Sequence, residues 1–510
     1  MSANYPTNIF DNFYRSPREN PSYGADFPHD LPYDPGATSS LFELNYFPNK
    51  GISLLLFLIL FVCCLLFLPR ILKKENNKIV NILRIIFFIA LSFTFLGPLR
   101  VPSILKVNTI LGLVKMIGLG LTAASGLIFL IKRKPFEFLK IASLNPFLTY
   151  AASLLISIFT LTNITFFWQD LTIILTGFIF FYLGFYFFDW KEGESFIKNI
   201  AVLLLVPVTI IFVIFLFRGT GVGIIASLYP RYENFVFSHD LDRGRIFSII
   251  DFEYFLPAVI FLYLISNKKR DYLQKALALL IFTLTTFAVL LVNYRYRFLT
   301  FLFGAGGMIG LLKKGKKKII LTMSMLFTTI FCLYLVISIA LGRTTLIDRF
   351  LLKSYRDDVD SLRRRIVMIG QAWELFTEHP VFGVGVGNYR DNVQVTYERF
   401  GGRTYEPYYK ILQNVYAYPH NWYLLVLAEN GIVGFLILMW LLFSFLKIDL
   451  FLYKRLTDKK LLVFLSFALI SYCYLFANLF TMMHNSLPMV IIFWACRGMI
   501  ERIYYEYPKE

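Results

Sequence analysis

Apolar residues in this chain gather into long runs separated by short polar loops rich in Lys and Arg. Most runs reach the 17 or so residues that an α-helix needs to cross a hydrocarbon layer about 30 Å thick. They lie at about 51–68, 80–97, 109–131, 147–164, 171–188, 199–217, 246–266, 276–292, 298–312, 319–341, 421–446, 461–480 and 485–498, the ninth and last being the shortest. The pattern predicts an all-α, polytopic membrane bundle of 12–13 spans. Residues 1–50 break it: seven prolines and no apolar period predict a disordered polar tail. With no basic n-region and no small-residue cleavage site, the tail does not read as a cleaved signal peptide. Residues 342–420 are too polar to span and too long for a connector. The expected organisation is therefore a tail (1–50), ten spans (51–341), a large loop (342–420), then three spans and a short C-terminus (421–510).

Composition agrees. Hydrophobic residues make up 57% of the chain and charged residues 16%. The net charge of +18 would suggest a nucleic-acid partner in a soluble protein. Here it follows topology, because cytoplasmic loops of membrane proteins concentrate Lys and Arg. One alternate set of loops, ending with 497–510, carries 27 Lys and Arg, and the short loops of the other set carry 8. The Lys-rich loops, such as KKGKKK at 313–318, are thus expected in the cytoplasm and the 342–420 loop outside. No nucleic acid is expected as a partner. Cys63, Cys64, Cys332, Cys473 and Cys496 all fall inside apolar runs and form no CxxC, which supports neither a disulfide framework nor a zinc site.

The outer loop holds eleven Lys/Arg and nine Asp/Glu, so it is not a polybasic patch. Within it, 361–378 places Ile366, Ile369, Trp373 and Phe376 three and four apart, predicting an amphipathic helix lying on the membrane or on the bundle. His379-Pro380 ends that helix, since a residue before proline avoids the helical region. Gly383, Gly385 and Gly387 then predict a flexible turn. A nucleotide loop would follow a buried strand, and this one follows a helix.

All five histidines, His29, His239, His379, His420 and His484, fall in or beside outer segments. His420 opens the run PHNWYLLVLAENGIVGFL at the water interface, where a group titrating near neutrality can serve as a base. Two arginine pairs accompany it: Arg243 and Arg245 before the seventh span, and Arg295 and Arg297 between the eighth and ninth. A charged group at the bilayer edge is costly unless paired or functional. Anchoring would be served as well by lysine, and only arginine's planar fork grips phosphate oxygens bidentately. Glu253, Asp251, Asp240 and Asp242 are alternative ion-pair partners.

The run EHPVFGVGVGNYR (378–390), followed some thirty residues later by PHNWYLLVLAENGIVGFL (419–436), resembles the signature of the O-antigen ligase/O-antigen polymerase superfamily. His420, Asn421, Leu424, Glu429, Gly431 and Gly434 fill its second half. Arg365 fits the arginine that begins the loop helix, Arg245 or Arg243 the arginine before an earlier span, and Arg297, less closely Arg295, the arginine opening a later one. The resemblance covers roughly 70–510. It implies a GT-C-like, metal-independent, inverting glycosyltransferase of the bacterial inner membrane. Its donor would be a glycan on undecaprenyl pyrophosphate, transferred on the periplasmic face to lipid A-core or to a growing glycan, among membrane lipids. The implied roles are His420 as catalytic base and Arg245, Arg297, Arg243 and Arg295 on the pyrophosphate. Arg365, Asn421, Glu429, Gly383 and Gly385 would support them. No cofactor and no metal are expected.

Such an arrangement is chemically coherent. Breaking an anomeric C–O bond to a pyrophosphate leaves negative charge, which arginines in a dry pocket can stabilise. A ligase is the leading expectation and a polymerase the alternative. Protein O-oligosaccharyltransferases share the signature but often carry a longer soluble C-terminal part. A polysaccharide or lipid transporter, from a different class, would predict inverted repeats and interrupted helices near the midplane.

Overall fold

A computed structural model of the 510-residue chain describes residues 78–94, 110–132, 141–156, 164–209, 252–266, 271–292, 294–312, 356–389, 418–481 and 486–507, with positions 159 and 392. Among the described residues all regular structure is helical. The helices are α1 (Lys78–Phe93), α2 (Ile110–Lys132), α3 (Leu144–Ile156), α4 (Ile164–Phe187), α5 (Trp190–Leu203) and α6 (Leu256–Ile265). A 3₁₀ turn at Phe252–Phe255 leads into α6. Next come α7 (Tyr272–Val292), α8 (Arg295–Leu312), α9 (Arg356–Glu378), α10 (Trp422–Arg455), α11 (Asp458–Ala477) and α12 (Leu487–Glu506). Most overlap the apolar runs read from the sequence; α9 lies in the polar 342–420 segment, and α5 begins in the loop expected before the 199–217 run and covers only its start. The runs at 51–68 and 319–341 lie outside the described residues, as does the 1–50 tail.

Local chemistry fixes several starts. The Asp189 carboxylate accepts the Lys191 amide at 2.9 Å and caps α5, satisfying a donor that the first turn leaves free. Pro257 sits in the first turn of α6, where its missing N–H costs nothing. Stretches within α4, α7, α10 and α11 are long and apolar enough to cross a membrane, as expected of an integral membrane protein.

Small residues let the helices approach. Gly184 of α4 lies against the carbonyl of Ala495 in α12, and Gly498 of α12 against the carbonyl of Phe181. Where lipid gives no hydrophobic drive between helices, such close backbone packing holds the bundle together. The Trp494 indole fills the neighbouring space, edge-on to Phe147, Phe178, Phe181, Phe445 and Phe493.

Buried charges are paired. Arg497, counted above with the C-terminal loop, is instead 1% exposed inside α12. Its guanidinium donates to both carboxylate oxygens of Asp449 on α10, at 2.7 and 3.1 Å, and the Tyr472 hydroxyl donates to the same carboxylate at 2.7 Å. Arg84 of α1 reaches Glu192 of α5 at 3.3 Å.

Candidate active site

The start of α10 is built as a broken helix. Asn421 caps it, its side-chain oxygen accepting the Leu424 amide at 3.0 Å while its amide nitrogen donates to the Leu479 carbonyl at 3.1 Å. Two turns later Gly431 leaves the helical region at φ 62°. The break frees carbonyls on one side and amides on the other, groups that must be paired within a membrane protein. The glycine-rich segment pairs them. Val384 and Gly385 donate to the carbonyls of Ala428 and Glu429, at 3.0 and 2.7 Å, and the Pro380 and Val381 carbonyls accept from Ile432 and Val433, at 2.8 and 3.2 Å.

The expected turn is therefore a brace, held on both sides of the break. Gly383, Gly385 and Gly387 take positive φ, a conformation open to glycine. Glu429 completes the brace by accepting the amides of Gly387 at 3.0 Å and Tyr389 at 3.4 Å. Asn388 is fully buried and donates to the Val384 carbonyl at 2.8 Å.

Helix α9 begins at Arg356, earlier than expected, and packs on α10 through a face the periodicity did not single out. Met368, Ala372 and Leu375 are buried, and a small apolar core joins Ala372, Leu375, Val384, Tyr389, Leu425 and Ala428. Ile369 and Trp373 point away from the protein and Phe376 is half-buried. The side chain of Ile366 is outside the described residues. Arg365 lies in the middle of α9, not at its start.

His420 sits immediately before α10 in the left-handed region, at φ 52°, a backbone state that costs a non-glycine residue roughly 1–2 kcal/mol. Its surroundings hold it there. Trp422 donates its amide to the Asn478 carbonyl at the end of α11, at 3.0 Å. Two residues before His420, the Tyr418 hydroxyl donates to both oxygens of Asp170 on α4, at 3.1 and 3.2 Å, and its ring stacks on Tyr389. Burial, and then the positive charge of Arg365, push the His420 imidazolium down to a pKa of about 4. At neutral pH the ring is therefore uncharged.

Arg297 opens α8 and is 3% exposed. Its Nε lies 3.6 Å from the Glu253 carboxylate, which is fully buried, and 3.2 Å from the Tyr296 hydroxyl. The rings of Tyr294 and Tyr296 flank the guanidinium at 5.6 and 5.9 Å. Glu253 is thus the ion-pair partner of Arg297 that the sequence had left open. Arg295 is half-buried in the same turn. Helix α11 connects the two halves of the site: Phe476 stacks on Phe303 of α8, while Tyr474 and the Leu475 carbonyl contact Trp422 and Tyr423 of α10. Arg365, His420 and Asn421 gather at the mouth of α10, and Arg295 and Arg297 at the same end of the bundle. Arg243, Arg245, His29, His239 and His484 lie outside the described residues, and His379 is exposed at the end of α9. Asp170, Tyr418 and Asn388 had not been singled out from the sequence. Only Asp170, an acid at the edge of an apolar run, carried a signal there.

A broken span braced by a glycine segment, with a strained histidine at its mouth and buried Arg297 at the same end, makes up the candidate site of this integral membrane protein. Residues 255–439 match the family model described as O-antigen ligase. That match supports the resemblance to the O-antigen ligase/O-antigen polymerase superfamily read from the sequence. No curated protein matches it.

Proposed function

We propose that this protein transfers a glycan from undecaprenyl pyrophosphate to an acceptor hydroxyl at the periplasmic face of the inner membrane, as the ligase that loads lipid A-core. The observation that carries the reading is the placement of uncharged His420 beside Arg365 at the mouth of a segment of the O-antigen ligase family. His420 takes the proton from the acceptor hydroxyl as that oxygen bonds to the anomeric carbon. The bond from the anomeric carbon to the pyrophosphate oxygen breaks on the opposite side, inverting the centre. Arg297 and Arg245, with Arg295 and Arg243 as the competitors for each role, neutralise the departing pyrophosphate and take the part that a divalent ion plays elsewhere. Glu253 holds the Arg297 guanidinium in place and offsets its charge until the donor arrives.

A deletion strain tests the assignment through its lipopolysaccharide. Loss of a ligase leaves uncapped core with glycan accumulating on the lipid carrier. Core bearing a single repeat assigns the polymerase reaction instead, and unchanged core with glycan trapped inside the cell assigns transport.

A further inference from the structure

Helix α9 has two faces, and protein covers one of them. Met368, Ala372 and Leu375 close against α10, while Ile369 and Trp373 project outward. Just beyond the helix, Val381 and Phe382 are exposed as well; Trp373 and Phe382 each leave 54% of their surface uncovered. Four large apolar side chains so placed form the kind of patch that marks a membrane or partner surface in a folded protein.

Continuity identifies the occupant. The outer side of α10 carries Ile432, Leu436, Trp440 and Phe443, all exposed at spacings of four, four and three. These form one stripe on a membrane-crossing helix, so this side meets acyl chains. Hydrogen bonds from Ile432 and Val433 to the Pro380 and Val381 carbonyls fix Val381 and Phe382 at the upper end of that stripe. The patch on α9 and the brace therefore extends a lipid-facing surface. Trp373 lies against Phe376, ring centroids 5.3 Å apart and planes tilted by 52°, and tryptophan is enriched where acyl chains meet headgroups.

We infer that the outward face of α9 and the tip of the glycine brace, Ile369, Trp373, Val381 and Phe382, are seated in the lipid of the bilayer interface. Exposed Glu378 and His379 follow the apolar face at the helix end, as a rim at headgroup level would require. Seated this way, α9 carries Arg365 at the depth where the head of a lipid-linked molecule lies. The surface itself does not depend on which reaction the site performs.

Tryptophan fluorescence of the full-length protein in phosphatidylcholine vesicles tests the seat. The difference between wild type and Trp373→Phe isolates the Trp373 signal. That signal should fall roughly two-fold or more when the acyl chains are brominated near the headgroup, and respond little to aqueous iodide. Quenching by iodide and not by bromolipid would place the face in water and overturn the inference. Quenching by neither would mean that protein covers it, which overturns the inference as well. Phe382→Trp in the Trp373→Phe background reads the brace separately and should follow the same pattern, including where loss of Trp373 disturbs α9.

Discussion

Gly383 and Gly431 each pack against the backbone beside the other. Gly383, at φ 67°, lies against the carbonyls of Ala428 and Glu429, and Gly431, at φ 62°, lies against the backbone of Val381 and Phe382. Each needs a conformation that side chains avoid and a gap that a Cβ would fill. Gly383→Ala and Gly431→Ala should each cost at least about 1–2 kcal/mol from the left-handed backbone, before any overlap is counted. Gly370→Ala is the control. Gly370 lies inside α9 with open space around it, so alanine there should be neutral or stabilising by about 0.5–1 kcal/mol. Thermal unfolding of the three purified variants in detergent reads the contrast; equal behaviour of Gly370→Ala and Gly431→Ala would contradict the brace.

The Asp449–Arg497 pair should be intolerant of single changes. Both groups are buried, and three donated hydrogen bonds converge on one carboxylate. Removing one partner strands the other, typically at about 3–5 kcal/mol. Asp449→Leu and Arg497→Met should each lower the yield of folded protein sharply, and the double variant should recover part of it. A double variant worse than the sum of the singles would remove this account.

Sequence and structure divide unevenly here. Apolar runs located most of the described helices, though not α5 or α9, because a span must hide its backbone from lipid and so needs length and hydropathy together. The family signature located Gly383, Gly385, Asn421, Glu429 and His420. What it could not convey is that the glycines pair with a break in α10, because that pairing joins residues over forty positions apart through backbone atoms alone. The packed face of α9 was missed for a related reason. Ala372 and Met368 are less conspicuous than Trp373 and Ile369, yet the small residue allows close approach while the bulky ones face outward. Arg497 read as a loop charge until Asp449, 48 residues away, supplied its counterion.

Orientation is testable independently of chemistry. The imbalance of Lys and Arg between alternate loops predicts that the 342–420 loop lies outside and the C-terminus inside. Alkaline phosphatase fused near residue 400 should be active, and fused at residue 510 it should be silent. The reverse result removes the proposed periplasmic site.

Arginine fork geometry separates a phosphate site from an anchor. Arg297→Lys and Arg245→Lys should lose most transfer activity at normal expression, since an ammonium cannot reproduce two parallel hydrogen bonds. Arg295→Lys and Arg243→Lys are the competing pair for each role. Glu253→Gln removes the charge facing Arg297 but keeps its shape. It should alter donor KM more than it lowers folding yield. Full activity in all four lysine variants would reduce the arginines to anchors.

For His420 the sharpest test is pH. Its pKa lies below the ordinary value of 6.5, at about 4, first because it is buried and then because Arg365 is near. Between those two values the unfolded chain binds a proton that the folded protein does not, so stability should fall as pH drops from 6.5 towards 4. The same sign governs activity. The ring stays unprotonated down to about pH 4, so the acid limb of kcat/KM due to this group should lie well below 6. Arg365→Gln removes the smaller of the two causes and should move that limb upward by only part of the gap. His420→Ala should lower transfer by about a hundred- to ten-thousand-fold while donor binding survives on the arginines. His379→Ala, at an exposed position, should be mild, as should His484→Ala. If His420→Ala kept more than about a tenth of the rate, a base role of this size would be lost, and His420 would be left as a residue that positions the mouth of α10.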